Sequence, residues 1–237
     1  MPVPASLSII LPCFNPHEGW VENIASSYAA IAEIIPGTEL IIVNDGSSAG
    51  FDREKLDGLV EKFAAIKTIS YEINRGKGYA LREGVKQAKC DTVIYTDIDF
   101  PYTEKSFFKI LSALKEGDCD LAVGIRNEEY YTHLPQNRVR ISKFLRWLIR
   151  KFLKIPTSDT QCGLKGFTRR GKEIFLQTTI DRYLFDLEFI FLAARKKAVI
   201  KLVEVELKPG VLLSKMRWQI LLQELGNFLK IFYRTYF

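Results

Sequence analysis

Five short runs in the first half of the chain are apolar almost throughout and rich in β-branched residues: LSIILP (7–12), TELIIVND (38–45), KTISYEI (67–73), DTVIYTD (91–97) and DLAVGIR (120–126). A strand with one wet face alternates apolar and polar positions, whereas a strand covered on both faces has no polar side to display. Runs of this kind therefore predict a parallel sheet buried between layers. The segments between them repeat their apolar residues at intervals of three and four: Trp20, Ile24, Tyr28, Ile31 and Ile35, then Leu56, Leu59, Val60 and Phe63, then Phe107, Ile110, Leu111 and Leu114. Each is the stripe of a helix laid on a sheet. Strand and helix alternate, so the first half predicts a doubly wound α/β unit. Ligands bind such sheets beyond the carboxyl ends of the strands. NDGSS (44–48) and DID (97–99) both lie at ends of this kind, which predicts that they share one crevice.

The pattern changes at about Asn127. Residues 138–154, RVRISKFLRWLIRKFLK, hold seven cations, Arg140 among them, and no acidic residue, while Val139, Phe144, Leu145, Leu148, Phe152 and Leu153 keep helical spacing. This is a basic amphipathic helix, suited to an anionic interface and equally to a solvated cationic face over an ordinary core. A second amphipathic segment, residues 215–237, carries Glu224, Lys230 and Arg234 within its apolar run and predicts a helix lying in a headgroup layer. Between the two come DTQCGLKGFTRR (159–170), an apolar helix around FDLEFIFLAARKK (185–197) and a strand, IKLVEVELK (200–208). With no repeat, low-complexity tract or flexible linker, residues 1–237 predict a single domain.

Composition sharpens this in three ways. A hydrophobic fraction of 47% and an aromatic fraction of 12% exclude a disordered chain. A formal net charge of +6 points to anionic partners, yet no recognised RNA- or DNA-binding module accompanies the cations, so nucleic acid is not expected. Cys13, Cys90, Cys119 and Cys162 are scattered singly, and the N-terminal residues lack the basic and apolar regions of a signal peptide. Both features predict a reducing, cytoplasmic compartment. No apolar run reaches the roughly 20 residues that span a bilayer.

Three motifs carry chemistry. Asp97 and Asp99, either side of one Ile at a strand exit, repel one another unless a cation or strong donor compensates them. Converging carboxylates of this kind suit a hard divalent cation, Mg²⁺ or Mn²⁺, whose shell a substrate's phosphates would complete; a surface turn is the plain alternative. Asp45, followed by Gly46, can accept hydrogen bonds from a nucleobase or ribose, or close an Asx turn with Asn44. NRGKGYALREG (74–84) sets Gly76, Lys77 and Gly78 at a helix start, where backbone N–H groups and cations can meet a phosphate, or form an ordinary strand-to-helix turn.

In order along the chain, SIILPCFN, IIVNDGSS, NRGKGYALREG, YTDID and DTQCGLKGF resemble the family 2 glycosyltransferases with a GT-A fold. The last motif, with FDLEFIFLA after it, most resembles the polyprenyl-phosphate sugar transferases that act on dolichyl phosphate and its bacterial counterparts. The resemblance covers roughly residues 6–208. It implies a mostly parallel Rossmann-like sheet flanked by helices, with amphipathic helices toward the C-terminus. Residues 1–126 would form the nucleotide-sugar-binding half and residues 127–237 an acceptor-binding, membrane-facing half.

By the same resemblance Pro12 and Asn15 border the nucleotide pocket, Asp45 contacts base or ribose, Asp97 lies near ribose and metal, and Asp99 is the principal metal ligand. Gly76 and Lys77 would meet the donor's phosphates, Arg126 would face the acceptor phosphate, and Arg140 is a similar candidate. The implied reaction is an inverting transfer of a hexose from UDP-glucose or GDP-mannose to polyprenyl phosphate. The enzyme would sit at the cytoplasmic face of a membrane, docked peripherally or held by a membrane-protein partner. Many mannose synthases have a Gln after the acidic triplet; here DIDFP places Pro101, which has no side-chain donor, so the third metal ligand stays open. Asp159 would serve as a base only if the acceptor were a sugar hydroxyl; otherwise it and Gln161 orient the loop or bind donor hydroxyls. Two other functions remain open: transfer to a glycan hydroxyl in polysaccharide or cell-envelope assembly, and nucleotide-sugar binding without turnover.

Overall fold

The computed structural model describes residues 6–115, 117, 119–126, 147, 149, 151, 153, 155–157, 159–209, 226–231 and 233. Among the described residues, seven strands form one sheet: β1 (Leu7–Cys13), β2 (Thr38–Asp45), β3 (Ile66–Tyr71), β4 (Val93–Tyr95), β5 (Leu121–Arg126), β6 (Lys165–Phe167) and β7 (Ile200–Val205). Their order across the sheet is β3-β2-β1-β4-β6-β5-β7, and every pairing is parallel except those of β6, which runs antiparallel to both β4 and β5. This is the GT-A arrangement, an α/β sheet with helices on both sides.

The continuous apolar runs explain the layers. Alternate residues of β1 and β2 point to opposite faces, and each face has its own core. Ile9, Leu11, Leu40 and Ile42 pack with α1 (Trp20–Ile34), α2 (Arg53–Lys62) and α4 (Glu104–Lys115). On the other side Ile10, Ile41 and Val43 pack with α3 (Lys77–Gln87), α5 (Arg169–Phe175) and α6 (Phe185–Arg195). Complete burial of such a side chain is worth about 1.5–3 kcal/mol. The second core is aromatic where α5 and α6 meet the sheet: Phe167 stacks on Phe175 at 5.4 Å, and Phe175 meets Phe189 edge-on at 4.9 Å.

One strand expected to be buried on both faces, β3, is not. β3 and β7 alternate between more and less covered residues because they are the edges of the sheet. β6, at three residues with Gly166 at its centre, has no periodicity to read and lay unassigned inside the DTQCGLKGF motif.

Most of the basic segment 138–154 and of the segment 215–237, Arg140 included, lies outside the described residues. Of those described, Ile149 and Leu153 are buried in the second core while Trp147 is 47% exposed, with the Lys151 ammonium 4.9 Å from its ring. Phe228 and Ile231 are likewise buried, and Leu229 and Tyr233 exposed. No helix among the described residues is long and apolar enough to cross a membrane.

Candidate active site

Strand β4 ends at Tyr95 in the middle of the sheet, so Asp97 and Asp99 leave it at the carboxyl edge, between β1 and β6. The Phe100 N–H donates to the Asp97 carbonyl at 3.0 Å and tightens the turn. Asp97 forms an ion pair through Oδ1 with the Lys77 ammonium. Its other oxygen faces Gly163 so closely that a Cβ there would lie 2.4 Å from Oδ2. Only a residue without a side chain lets the 161–163 turn approach the carboxylate, and the Gly163 N–H is fixed by donating to the Tyr102 hydroxyl at 2.9 Å. Asp99 has no ion-pair partner among the described residues, and the hydrogen bond that its carboxylate accepts comes from its own backbone.

Charge follows this geometry. Partial burial raises the pKa of Asp99, and the neighbouring Asp97 carboxylate raises it further. Burial works to lower that of Lys77, but the Asp97 and Asp186 carboxylates outweigh it and hold the ammonium above its usual value. Among the described residues the site thus holds one carboxylate without an ion-pair partner beside one shared with a cation. No group of three His, Cys, Asp or Glu residues that could hold a metal occurs among the described residues. Two hard carboxylates that leave most of the shell to a ligand's oxygens fit Mg²⁺ or Mn²⁺ bound together with a diphosphate.

The end of β2 forms the second wall. Asn44 Oδ1 accepts from the Ser47 N–H at 3.0 Å, closing the Asx turn, and Gly46 adopts φ +65° where a Cβ would meet the backbone of residues 72–74 at 2.6–2.8 Å. The buried Asp45 carboxylate accepts from the Arg75 N–H at 2.7 Å, the Gly76 N–H at 2.8 Å and Asn74 Nδ2 at 2.9 Å. It joins β2 to the start of α3 and keeps little lone-pair capacity for a nucleotide. Asn15, exposed at the end of β1 beyond Pro12, accepts through Oδ1 from the Ser48 and Ala49 N–H groups at 2.8 and 3.0 Å. It pins the 47–49 loop beside the crevice.

The start of α3 differs from the phosphate cradle expected of it. The Gly76 N–H serves Asp45, and the Gly78 and Tyr79 N–H groups both donate to the Asp181 carbonyl, at 2.7 and 3.2 Å. The loop before α6 folds over this helix end and satisfies its free donors. Glu188 braces that loop by accepting from the Thr179 and Ile180 N–H groups at 2.8 Å each. The buried Arg82 pairs with Asp181 and donates to the Ile180 carbonyl at 2.9 Å. The Lys77 ammonium, paired with Asp97, is the cation that this helix start brings to the β4 exit.

Arg126 and Asp159, expected to act separately, are brought together. The Arg126 backbone N–H and Nε donate to Asp159 Oδ2 at 2.8 and 3.1 Å, and Nη2 bonds Oδ1. Asp159 is 8% exposed and its carboxylate is occupied by this two-pronged contact, a geometry suited to holding the loop against the end of β5 and not to accepting a proton.

Sequence reasoning passed over Lys165 and Tyr95. Lys165 is fully buried in β6, with Nζ 2.6 Å from both the Cys162 carbonyl and Asp186 Oδ1; the Tyr95 hydroxyl donates to the same Asp186 oxygen. The one available signal was a lysine inside the otherwise apolar GLKGF, where a buried charge demands a partner.

The sequence profile of glycosyl transferase family 2 matches residues 8–175. The chain is 29% identical over 212 residues to the dolichyl-phosphate beta-glucosyltransferase of Drosophila melanogaster, a match covering 81% of this chain and 63% of that protein. It is 26% identical over 220 residues to the Saccharomyces cerevisiae protein of the same name, covering 84% and 66% respectively. The chain therefore spans about two-thirds of the length of these relatives. Among solved structures, the glucosyl-3-phosphoglycerate synthase of Mycobacterium tuberculosis, in complex with Mn²⁺, UDP and glucosyl-3-phosphoglycerate, superposes with a TM-score of 0.63 at 16% identity, covering 97% of this chain and 80% of that one. At that identity the likeness establishes the shared fold.

Proposed function

This chain belongs to glycosyl transferase family 2, and from that premise we propose that it is an inverting enzyme moving glucose from UDP-glucose to a polyprenyl phosphate at the cytoplasmic face of a membrane. The observation that carries the reading is the pair at the exit of β4: an Asp99 without an ion-pair partner among the described residues, next to an Asp97 that Lys77 and Gly163 hold in place. A bound divalent cation would be held by Asp99 and Asp97 and would offset charge on the departing diphosphate. Lys77 supplies a second positive charge at the same edge. A phosphate oxygen of the acceptor attacks the anomeric carbon as the bond to the diphosphate breaks, and the nucleoside diphosphate leaves from the opposite face. Because that phosphate is already ionised near neutral pH, the reaction needs no strong base. The engagement of Asp159 by Arg126 accords with this and disfavours a sugar hydroxyl as acceptor.

Three further features support the reading. The relatives named above act, by their names, on dolichyl phosphate. The basic segment 138–154 suits a peripheral position on an anionic leaflet, and Trp147, Leu229 and Tyr233 expose large apolar groups. Residues 1–237 would then act as a single catalytic domain.

Thermal shift with UDP- and GDP-sugars, each with and without Mn²⁺ or Mg²⁺, tests donor and metal together, since a ligand of the native state raises the Tm. UDP-glucose with metal is expected to give the largest shift. Asp99→Ala should abolish both the metal-dependent part of that shift and transfer to polyprenyl phosphate, with Tm in buffer unchanged. Metal-supported transfer surviving in Asp99→Ala rules out the assigned role.

A further inference from the structure

Beneath the crevice lies a charged cluster that the reaction above does not use. Lys165 and Tyr95 are fully buried and Asp186 is 4% exposed. Register explains their meeting: β4 and β6 set Tyr95 directly opposite Lys165, and the first turn of α6 lays Asp186 across both. The Lys165 ammonium lies 2.6 Å from Asp186 and 5.6 Å from the centre of the Tyr95 ring. Withdrawing two charges from water costs several kcal/mol each, and an apolar set of similar volume commonly folds as stably or better. A cluster of this kind is poorly explained by stability.

Its second contact points to a different role. Lys165 Nζ also donates to the Cys162 carbonyl at 2.6 Å, and the next residue is Gly163, whose Cα faces Asp97 Oδ2 and whose N–H is held by Tyr102. The ammonium thus clamps from below the same turn that confines Asp97 from above. Asp186, which anchors that ammonium, also acts electrostatically on Lys77, the partner of Asp97. We propose that Lys165, anchored by Asp186 and Tyr95, is a positioning residue that fixes the 161–163 turn against Asp97, and that this ion pair serves the reaction and not the stability of the fold. The inference rests on the glycosyl-transfer reading for its kinetic consequence, but its geometric half does not.

The test is the double variant Lys165→Met/Asp186→Leu, with Asp186→Asn as a milder companion that preserves shape. Three results are expected of the double variant. Its Tm stays within a few degrees of that of the unmodified chain, the small loss reflecting the Tyr95 hydroxyl and Cys162 carbonyl left without partners. Hydrogen exchange at the Gly163 amide accelerates by at least about tenfold, while amides of β1 and β2 keep their protection. With UDP-glucose and a polyprenyl phosphate, kcat falls by roughly 30-fold or more and the donor KM changes by less than about threefold, as expected when an interaction realised in the transition state is misplaced. Asp186→Asn should show the same local acceleration to a smaller extent. Unaltered exchange at Gly163, or a double variant that is unfolded or markedly less stable, overturns the proposal. If the unmodified chain turns over no nucleotide sugar, the glycosyl-transfer reading fails, and the exchange and Tm results still decide the positioning role.

Discussion

At Gly163 the absence of a side chain is what lets the 161–163 turn meet Asp97. Alanine there would drive a methyl group to 2.4 Å from Asp97 Oδ2, a distance at which the carboxylate or the turn must move. Gly163→Ala is therefore expected to lower transfer by about 100-fold, the scale of a 1 Å misplacement, while shifting Tm by only a few degrees; steady-state kinetics beside a thermal melt checks both. Glu39 illustrates the opposite case, a buried carboxylate held for stability. Burial pushes its pKa up, but the Lys89 N–H, the Lys67 ammonium and the Ser8 hydroxyl together bring it below the ordinary 4.5. A depressed carboxyl pKa contributes stability above the unfolded value, and that contribution is lost as pH falls through the folded one. Glu39→Gln should cost about 2 kcal/mol at pH 7, and the gap between variant and parent, followed by denaturant melts across pH, should close in acid. Asp97 and Asp99 stand out in the sequence as a candidate site because paired carboxylates at a strand exit need compensation. The contacts of Asp45 could not be read, since nothing in NDGSS tells whether N–H donors come from a ligand or from the chain. The partnership of Arg126 with Asp159 joins residues 33 apart and could not be read locally.

Among the elements, the long and periodic ones were readable and the short ones were not. Helices α1, α2 and α4 announce themselves by apolar stripes, and β1, β2, β4 and β5 by unbroken apolar runs. The three residues of β6 offer no period, and only its pairing with β4 and β5 makes it a strand. The start of α3 could not be decided from sequence because free N–H groups at a helix terminus look alike whether they await an anion or a carbonyl. Here the loop before α6 supplies the carbonyl, and Glu188 holds that loop. Glu188→Ala leaves the Thr179 and Ile180 N–H groups without their acceptor. The expected cost is about 2 kcal/mol, or roughly 4–8 °C in Tm for a chain of this length. Scanning calorimetry measures the drop, and proteolytic susceptibility within residues 178–184 should rise with it.

For the whole molecule, the sheet divides labour between its edges. The carboxyl edge gathers Asp45, Lys77, Asp97, Asp99 and Gly163 from strands far apart in sequence, as doubly wound folds do. Alternation of strand and helix made that architecture readable before any contact was known; the reversal of β6 was not, since handedness rules govern parallel crossovers only. The concentration of cations in residues 138–154 has its own expected outcome at this scale. Co-sedimentation with vesicles containing anionic lipid should exceed that with neutral vesicles and weaken as salt rises, each cation near the surface contributing about 1 kcal/mol. Reversing Lys151 to Glu should reduce it without altering Tm.

The reversal of β6 has one more consequence. β5 finishes at the carboxyl edge and β6 begins there, beside Tyr95 and Val123. Both ends of the 127–164 connection therefore stand at the carboxyl edge that carries Asp97 and Asp99. Chimaeras that swap residues 127–164 between family members should keep the donor preference of the host while inheriting the acceptor preference of the graft.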